Sequence, residues 1–200
     1  MSTFEPDPHP VQFAVDYPDR QLNRLTTAFR IFTVIPIAIV LAAVSGGSAA
    51  AGGVLFGGPL LMILFREKYP GWWQDWNREL LRFMNRVVVY LALLDDRYPS
   101  TDEQQSVRLE LPRPNVKTDL NRWLPLVKWF LAIPHYVVLV FLTLGAVVVV
   151  IVAWFAILFT GRYPRGLFDY VVGVLRWHNR VTGYAFILLT DRYPPFRLAP

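Results

Sequence analysis

Residues 129–161 read WFLAIPHYVVLVFLTLGAVVVVIVAWFAILFTG and contain no Asp, Glu, Lys or Arg. At about 1.5 Å per residue, a helix over this stretch would reach roughly 50 Å, against a hydrocarbon core of about 30 Å. A second stretch, residues 31–65, is equally free of charge and equally overlong. All the charged side chains of the 200-residue chain, 20 basic and 15 acidic, lie outside these two windows. A soluble domain has no use for such windows. The sequence therefore reads as an integral membrane protein.

The composition agrees: 54% of residues are hydrophobic and 18% charged, against roughly 25% charged in an ordinary soluble domain. The chain has no cysteine, which excludes disulfides and thiolate chemistry. The net charge of +5 comes from a basic set dominated by Arg and lying beside the windows, as the positive-inside tendency requires. It is not a nucleic-acid footprint, and no nucleic-acid partner is expected.

Each window is too long for one crossing, which predicts a helical hairpin, transmembrane or re-entrant. In the first, the turn is read at Ser45 to Gly53; in the second the only candidate is Thr143-Leu144-Gly145. Arg20, Arg24, Arg30, Arg66 and Lys68 flank the first hairpin, and Lys117, Arg122, Lys128, Arg162 and Arg165 the second. Two hairpins keep all of these on one face. This predicts a multi-pass protein of the cell inner (cytoplasmic) membrane, with both termini cytoplasmic and short extracytoplasmic turns. Residues 1–10 are acidic and Pro-rich and do not read as a signal peptide.

The chain is written twice. Arg30 to Pro36 aligns with Lys128 to Pro134, Asn85-Arg86 with Asn179-Arg180, and Asp96-Arg97-Tyr98-Pro99 with Asp191-Arg192-Tyr193-Pro194. Repeat 1 is read over residues 11–99, with its hairpin at about 28–65 and an amphipathic helix at about 72–94. Repeat 2 is read over 106–195, with its hairpin at about 124–161 and an amphipathic helix at about 168–189. A flexible tail (1–10), a linker (100–105) and a C-terminal tail (196–200) complete the chain. Alternation at Val11, Phe13, Val15 and at Val107, Leu109, Leu111 predicts a short cytoplasmic strand opening each repeat. The fold class is therefore an all-α membrane protein of two tandem repeats, each a hairpin plus an interfacial amphipathic helix.

Three stretches of the second repeat carry a family resemblance: Trp123 to Trp129 with Ala132-Ile133-Pro134-His135, Phe159 to Asp169, and Leu189 to Phe196. With them the chain resembles the bacterial membrane family known as domain of unknown function 4389. The resemblance covers the second repeat nearly end to end and the first more loosely. It implies no catalytic or ligand residue. Ile37 stands where the second repeat has His135, so any site built on that histidine would be asymmetric.

Candidate chemistry is sparse. His135 is the only ionisable residue within either window and is singled out as an intramembrane polar site. No histidine or carboxylate set has metal-ligand spacing, no glycine run is followed by Lys-Ser/Thr, and no nucleophile elbow appears. Neither a metal nor a cofactor nor an enzymatic activity is expected. The Lys/Arg-Tyr-Pro tripeptides, among them Arg162-Tyr163-Pro164, read as boundary anchors, with Tyr at the headgroup level and Pro stopping the helix. On the amphipathic helices, Arg78, Arg82 and Arg86 sit four apart beside Trp73 and Trp76, and Arg176 and Arg180 repeat the spacing. These residues are assigned to anionic lipid headgroups or to a partner. Glu79 and Asp75 could instead pair with Arg82 and Arg78 on a solvated face. The function expected is a non-catalytic membrane scaffold or accessory subunit that packs against other subunits or a second copy and contacts anionic lipid. The alternative is a small transporter or channel with a path between the repeats.

Overall fold

The computed structural model of the chain describes residues 9–45, 57–101, 103 and 105–200. Among these, repeat 1 consists of β1 (Gln12–Val15), α1 (Arg24–Ala28), α2 (Arg30–Thr33), α3 (Ile35–Val44), α4 (Gly58–Arg66) and α5 (Gly71–Leu91). Repeat 2 consists of β2 (Val107–Glu110), α6 (Val116–Asp119), α7 (Pro125–Leu131), α8 (Ile133–Thr160) and α9 (Arg165–Ala185). The turn read at Ser45 to Gly53 lies almost wholly outside the described residues.

Matching sequence produces matching local structure. Asn23 caps α1 by accepting from the Leu25 and Thr26 N–H groups, and Asn121 accepts from the Trp123 N–H in the same place of repeat 2. Pro36 and Pro134 stand in the first turns of α3 and α8. A proline brings no N–H, so each entering helix breaks one residue before the Ile-Pro pair and restarts there. α4 and α8 end on left-handed residues, Glu67 and Gly161. Beyond α5 and α9, the buried Leu93 and Leu188 also take left-handed backbone, at φ 64° and 58°. For a non-glycine residue that costs about 1–2 kcal/mol, which burial of the leucine side chain offsets.

The second window departs from the expectation. α8 is one continuous helix of 28 residues running straight through Thr143-Leu144-Gly145. There is no second turn and hence no second hairpin. Gly145 serves packing instead: the Tyr170 hydroxyl donates to the Leu142 carbonyl at 3.0 Å, and a Cβ on Gly145 would stand 2.6 Å from that hydroxyl. One helix among the described residues is thus long and apolar enough to cross a membrane. It buries a single stripe, His135, Leu139, Ala146, Ala153 and Ile157, and exposes Val140, Phe141, Val148, Ile151, Phe155 and Phe159 among others.

The two predicted strands form an antiparallel ribbon in which Phe13 pairs with Leu109, the central residue of each alternating triplet. A pair made of two equivalent positions lies on a twofold axis relating the repeats. The ribbon covers a core of Val11, Phe13, Leu109, Val171, Val172 and Leu189. α9 is largely buried and α5 is buried along most of one side. Both helices pack into the centre of the fold, while α5 keeps Trp72, Trp76, Val88 and Leu91 exposed. The apolar face of α9 meets protein, and Arg82 and Asn85 of α5 and Arg176 and Asn179 of α9 reach the other repeat.

Candidate functional site

The second point on the axis is a buried amide pair. Asn85 Nδ2 donates to Asn179 Oδ1 at 2.8 Å, and Asn179 Nδ2 donates back to Asn85 Oδ1 at 2.7 Å. Each amide also donates to the carbonyl one turn earlier, Leu81 or Leu175. The two asparagines therefore bolt α5 to α9 where the repeats meet. Their equivalence was legible in the repeat alignment. That equivalent residues would touch was not, because the position of the axis is a tertiary property.

The arginine stripe does different work from the one read in the sequence. Arg82 Nε donates to the Leu109 carbonyl at 3.4 Å, and Arg176 Nε donates to the Phe13 carbonyl at 2.9 Å. Each helix thus holds the central strand residue of the opposite repeat. One turn on, Arg86 donates to the Ser100 and Thr101 carbonyls, and the fully buried Arg180 to those of Arg197 and Ala199. Arg176 also donates to the Leu198 carbonyl, so the C-terminal segment is docked against α9. Arg78 and Arg82 pair with Asp75 and Glu79, as on a solvated face. Four of the five stripe arginines (82, 86, 176 and 180) therefore reach backbone carbonyls that arginine's forked donors suit.

The other singled-out residues separate. Trp73 is half-buried, stacked on Trp72 and lying over Gly58, whereas Trp76 and Arg162 are exposed. Tyr163 and its counterpart Tyr69 are buried within protein: the Tyr163 carbonyl accepts from the Tyr17 hydroxyl, and the Tyr69 hydroxyl donates to the Ile187 carbonyl. Burial pushes the Tyr69 pKa up to about 12, against the opposing hydrogen bond from Asn77. Tyr98 and Tyr193 do stay about half exposed. In their tripeptides the aspartate ahead carries the architecture. Asp96 accepts from the Asn23 N–H at 3.0 Å and Asp191 from the Asn121 N–H at 2.5 Å, closing the end of each repeat onto its beginning. Burial opposes the charged form of Asp96, but the hydrogen bonds from Arg20 and Asn23 and the Arg20 charge outweigh it and hold its pKa below the ordinary value.

His135 is fully buried in an aromatic cluster. Its Nδ1 accepts from Trp177 Nε1 at 3.0 Å, and its ring stacks on Phe196 at 4.0 Å with Tyr193 beside it. It pins the C-terminal segment to the start of α8. No carboxylate joins it, and no group of three or more His, Cys, Asp or Glu suited to a metal occurs among the described residues.

Between the repeats lies a cleft of about 830 Å³ bounded by α5, α8 and α9. Its walls include Leu91, Val147, Ile151, Trp154 and Phe155, with Arg30, Asn85, His178 and Asn179 as polar groups. Arg30 and Trp154 were not singled out in the sequence as ligand-facing. Arg30 read only as a flanking charge.

A profile for Domain of unknown function (DUF4389) matches the chain over residues 24–101 and again over 123–197. The chain belongs to the DUF4389 family. The first match runs from the capped start of α1 to the close of the first repeat and the second from just before α7 to the close of the second, each leaving out the opening strand. The chain therefore carries the family unit twice, joined by the ribbon and the asparagine pair. No curated protein and no solved structure matches the chain.

Proposed function

We propose that this DUF4389 protein is a non-catalytic scaffold or accessory subunit of the cytoplasmic membrane, held in lipid by α8 and presenting that helix to partner subunits. One observation carries the reading: α8 is uncharged over 28 residues and buries only one stripe. Left in water, its outer face would be an apolar patch far larger than the few hundred Å² that monomers tolerate. At the repeat junction Asn85 and Asn179 satisfy each other, which favours a fixed body over a moving one.

Contacts at the two ends of α8 favour an arrangement in which α8 enters the membrane without crossing it, with both termini on the cytoplasmic side. Both ends of α8 connect to the charged ribbon through short chains of contacts. At one end Gly161 accepts from Leu22, Asn23 donates to Asp96, and the adjacent Asp95 accepts from Ser106 beside β2. At the other, His135 stacks on Phe196, and Leu198 shares Arg176 with Phe13 of β1. An upright crossing would place these two ends on opposite faces of the membrane, although both are tied to the one ribbon. Two single crossings would also part β1 from β2, which are paired. In this proposal α8 lies within the cytoplasmic leaflet, its exposed face in the acyl layer.

Single-cysteine variants test this on a cysteine-free background. Ser100→Cys, Ala199→Cys and Thr160→Cys should all resist a membrane-impermeant reagent applied to intact cells and react once membranes are opened, whereas Val148→Cys should react only with a lipid-soluble reagent. Labelling of Thr160→Cys from outside would establish an upright α8 and refute the arrangement. A stoichiometric partner in gentle detergent extracts supports the scaffold reading. Solute flux through purified protein in liposomes would instead establish the transport alternative, which the cleft between the repeats motivates.

A further inference from the structure

Two hollows run along the side of α8, and one polar pair sits where they meet. The larger, of about 830 Å³, is the cleft over the repeat junction; the smaller, of about 400 Å³, is bounded by Tyr136, Leu139, Leu144, Val181 and Phe186. Thr143, His178 and Thr182 line both. Between Tyr136 and Trp154, Thr143 is the only side chain of α8 that carries a polar atom, and it is exposed. His178 reaches it from α9: Nε2 lies 3.4 Å from the Thr143 hydroxyl, an exposed contact longer than an ordinary hydrogen bond. On the other side of the ring, Nδ1 lies 3.0 Å from the Val174 carbonyl, which can only accept. Nδ1 therefore carries a proton, and in the neutral ring Nε2 offers a lone pair. The pair occurs once. The repeat alignment puts Met84 in the place of His178, and Met84 lines the same cleft from α5. Arg30 also borders the cleft, but its guanidinium is enclosed in protein: the residue is 2% exposed and Nη1 donates to the Tyr90 and Asp95 carbonyls, whereas its counterpart Lys128 bonds Asp191.

We propose that the cleft binds a single-chain lipid bearing a neutral hydroxyl, its chain against Val147, Ile151, Trp154 and Phe155 and its hydroxyl between His178 Nε2 and the Thr143 hydroxyl. A hydroxyl is donor and acceptor at once, so it gives its hydrogen to Nε2 and takes that of Thr143. A carboxylate can only accept, and would meet a lone pair at Nε2. The long contact between Thr143 and His178 is the one such a group displaces, and both partners regain a hydrogen bond through it. At about 830 Å³ the cleft falls within the range of about 300–1,000 Å³ for small-molecule sites, which are apolar with a few placed polar groups. The site also brings a second histidine against the uncharged stretch of α8, which the sequence, placing His178 on a different helix, does not reveal. This deepens the membrane reading of α8 and rests on it, because the bilayer is the source of such a ligand and water does not fill an apolar hollow.

The test uses the full chain purified in nonionic detergent, with dibromostearyl alcohol as the probe and quenching of tryptophan fluorescence as the signal, since Trp154 forms part of the cleft wall. Quenching should saturate and be reversed by octadecanol. Octadecane, which has no hydroxyl, and stearate should each compete about tenfold less well. Thr143→Val and His178→Phe should each weaken octadecanol about threefold to tenfold, the factor for one hydrogen bond between neutral groups, and leave octadecane unchanged. Thr143 is exposed, so its replacement by valine leaves the core intact, and Thr160→Val, at the far end of α8, should change nothing. Equal displacement by octadecane and octadecanol, stronger displacement by stearate, or unchanged octadecanol affinity in both cleft variants would each overturn the proposal. So would absence of saturable quenching, which would leave the cleft to a partner helix. Alkaline extraction of cell membranes carrying the unsubstituted chain tests the membrane reading separately. Retention in the pellet leaves that reading standing whatever the binding result, and release would refute it and this proposal together.

Discussion

The asparagine pair offers the sharpest test of how the repeats are joined. Replacing Asn85 by Leu preserves the approximate shape but deprives Asn179 of the donor to its Oδ1 and the acceptor for one Nδ2 hydrogen. Both groups sit in a buried junction, with Asn85 6% and Asn179 4% exposed. Leaving a buried amide half-satisfied costs about 1–3 kcal/mol. For a chain of this length that is a fall in melting temperature of roughly 2–12 °C. Asn179→Leu should cost the same by symmetry. The double variant should cost far less than the sum, because two apolar groups of matching shape leave nothing unsatisfied. The expected coupling is about 1–3 kcal/mol. The assay is thermal unfolding of the four proteins in one detergent, followed by tryptophan fluorescence. If the double variant loses the sum of the single losses, the amides are not a reciprocal pair and the axis has been misplaced.

Arg176→Gln should lower amide-exchange protection in residues 12–15 and 196–199 together, because one guanidinium holds both segments, while leaving residues 133–160 unchanged. Asp191→Asn should cost about 3–5 kcal/mol and more than Lys128→Met, since it strands a fully buried cation whereas the other leaves a carboxylate that is 21% exposed; chemical denaturation would rank them. Gly145→Ala should cost about 1 kcal/mol by displacing the Tyr170 hydroxyl from Leu142, and the cost should vanish in a Tyr170→Phe background. Because the Asp96 pKa is depressed on folding, its contribution is complete above the ordinary value of 3.8 and drains away as pH falls below it; Asp96→Asn should therefore flatten the acid limb of the stability curve.

The sequence by itself determined what depends on local chemistry and on repetition. The two charge-free windows, the duplicated unit, the opening strands and the long helices ending before the Asp-Arg-Tyr-Pro tetrads are all set by composition, period and proline placement, and all but the first window's turn lie among the described residues. The same reasoning placed a turn at Gly145, because a glycine in an apolar run looks alike whether it bends the chain or admits a neighbour's hydroxyl. It also assigned Arg78, Arg82, Arg86, Arg176 and Arg180 to anionic lipid headgroups or to a partner. An i, i+4 arginine stripe has one signature whether it meets phosphate or carbonyl oxygen, and only the tertiary structure supplied the carbonyls of Phe13, Leu109, Ser100 and Leu198. The asymmetry of the buried cations was equally beyond reach. Arg30 and Lys128 stand at equivalent positions ahead of equivalent aspartates, and which of them keeps its carboxylate depends on Arg20, an intervening side chain that folding alone brings to Asp95 and Asp96.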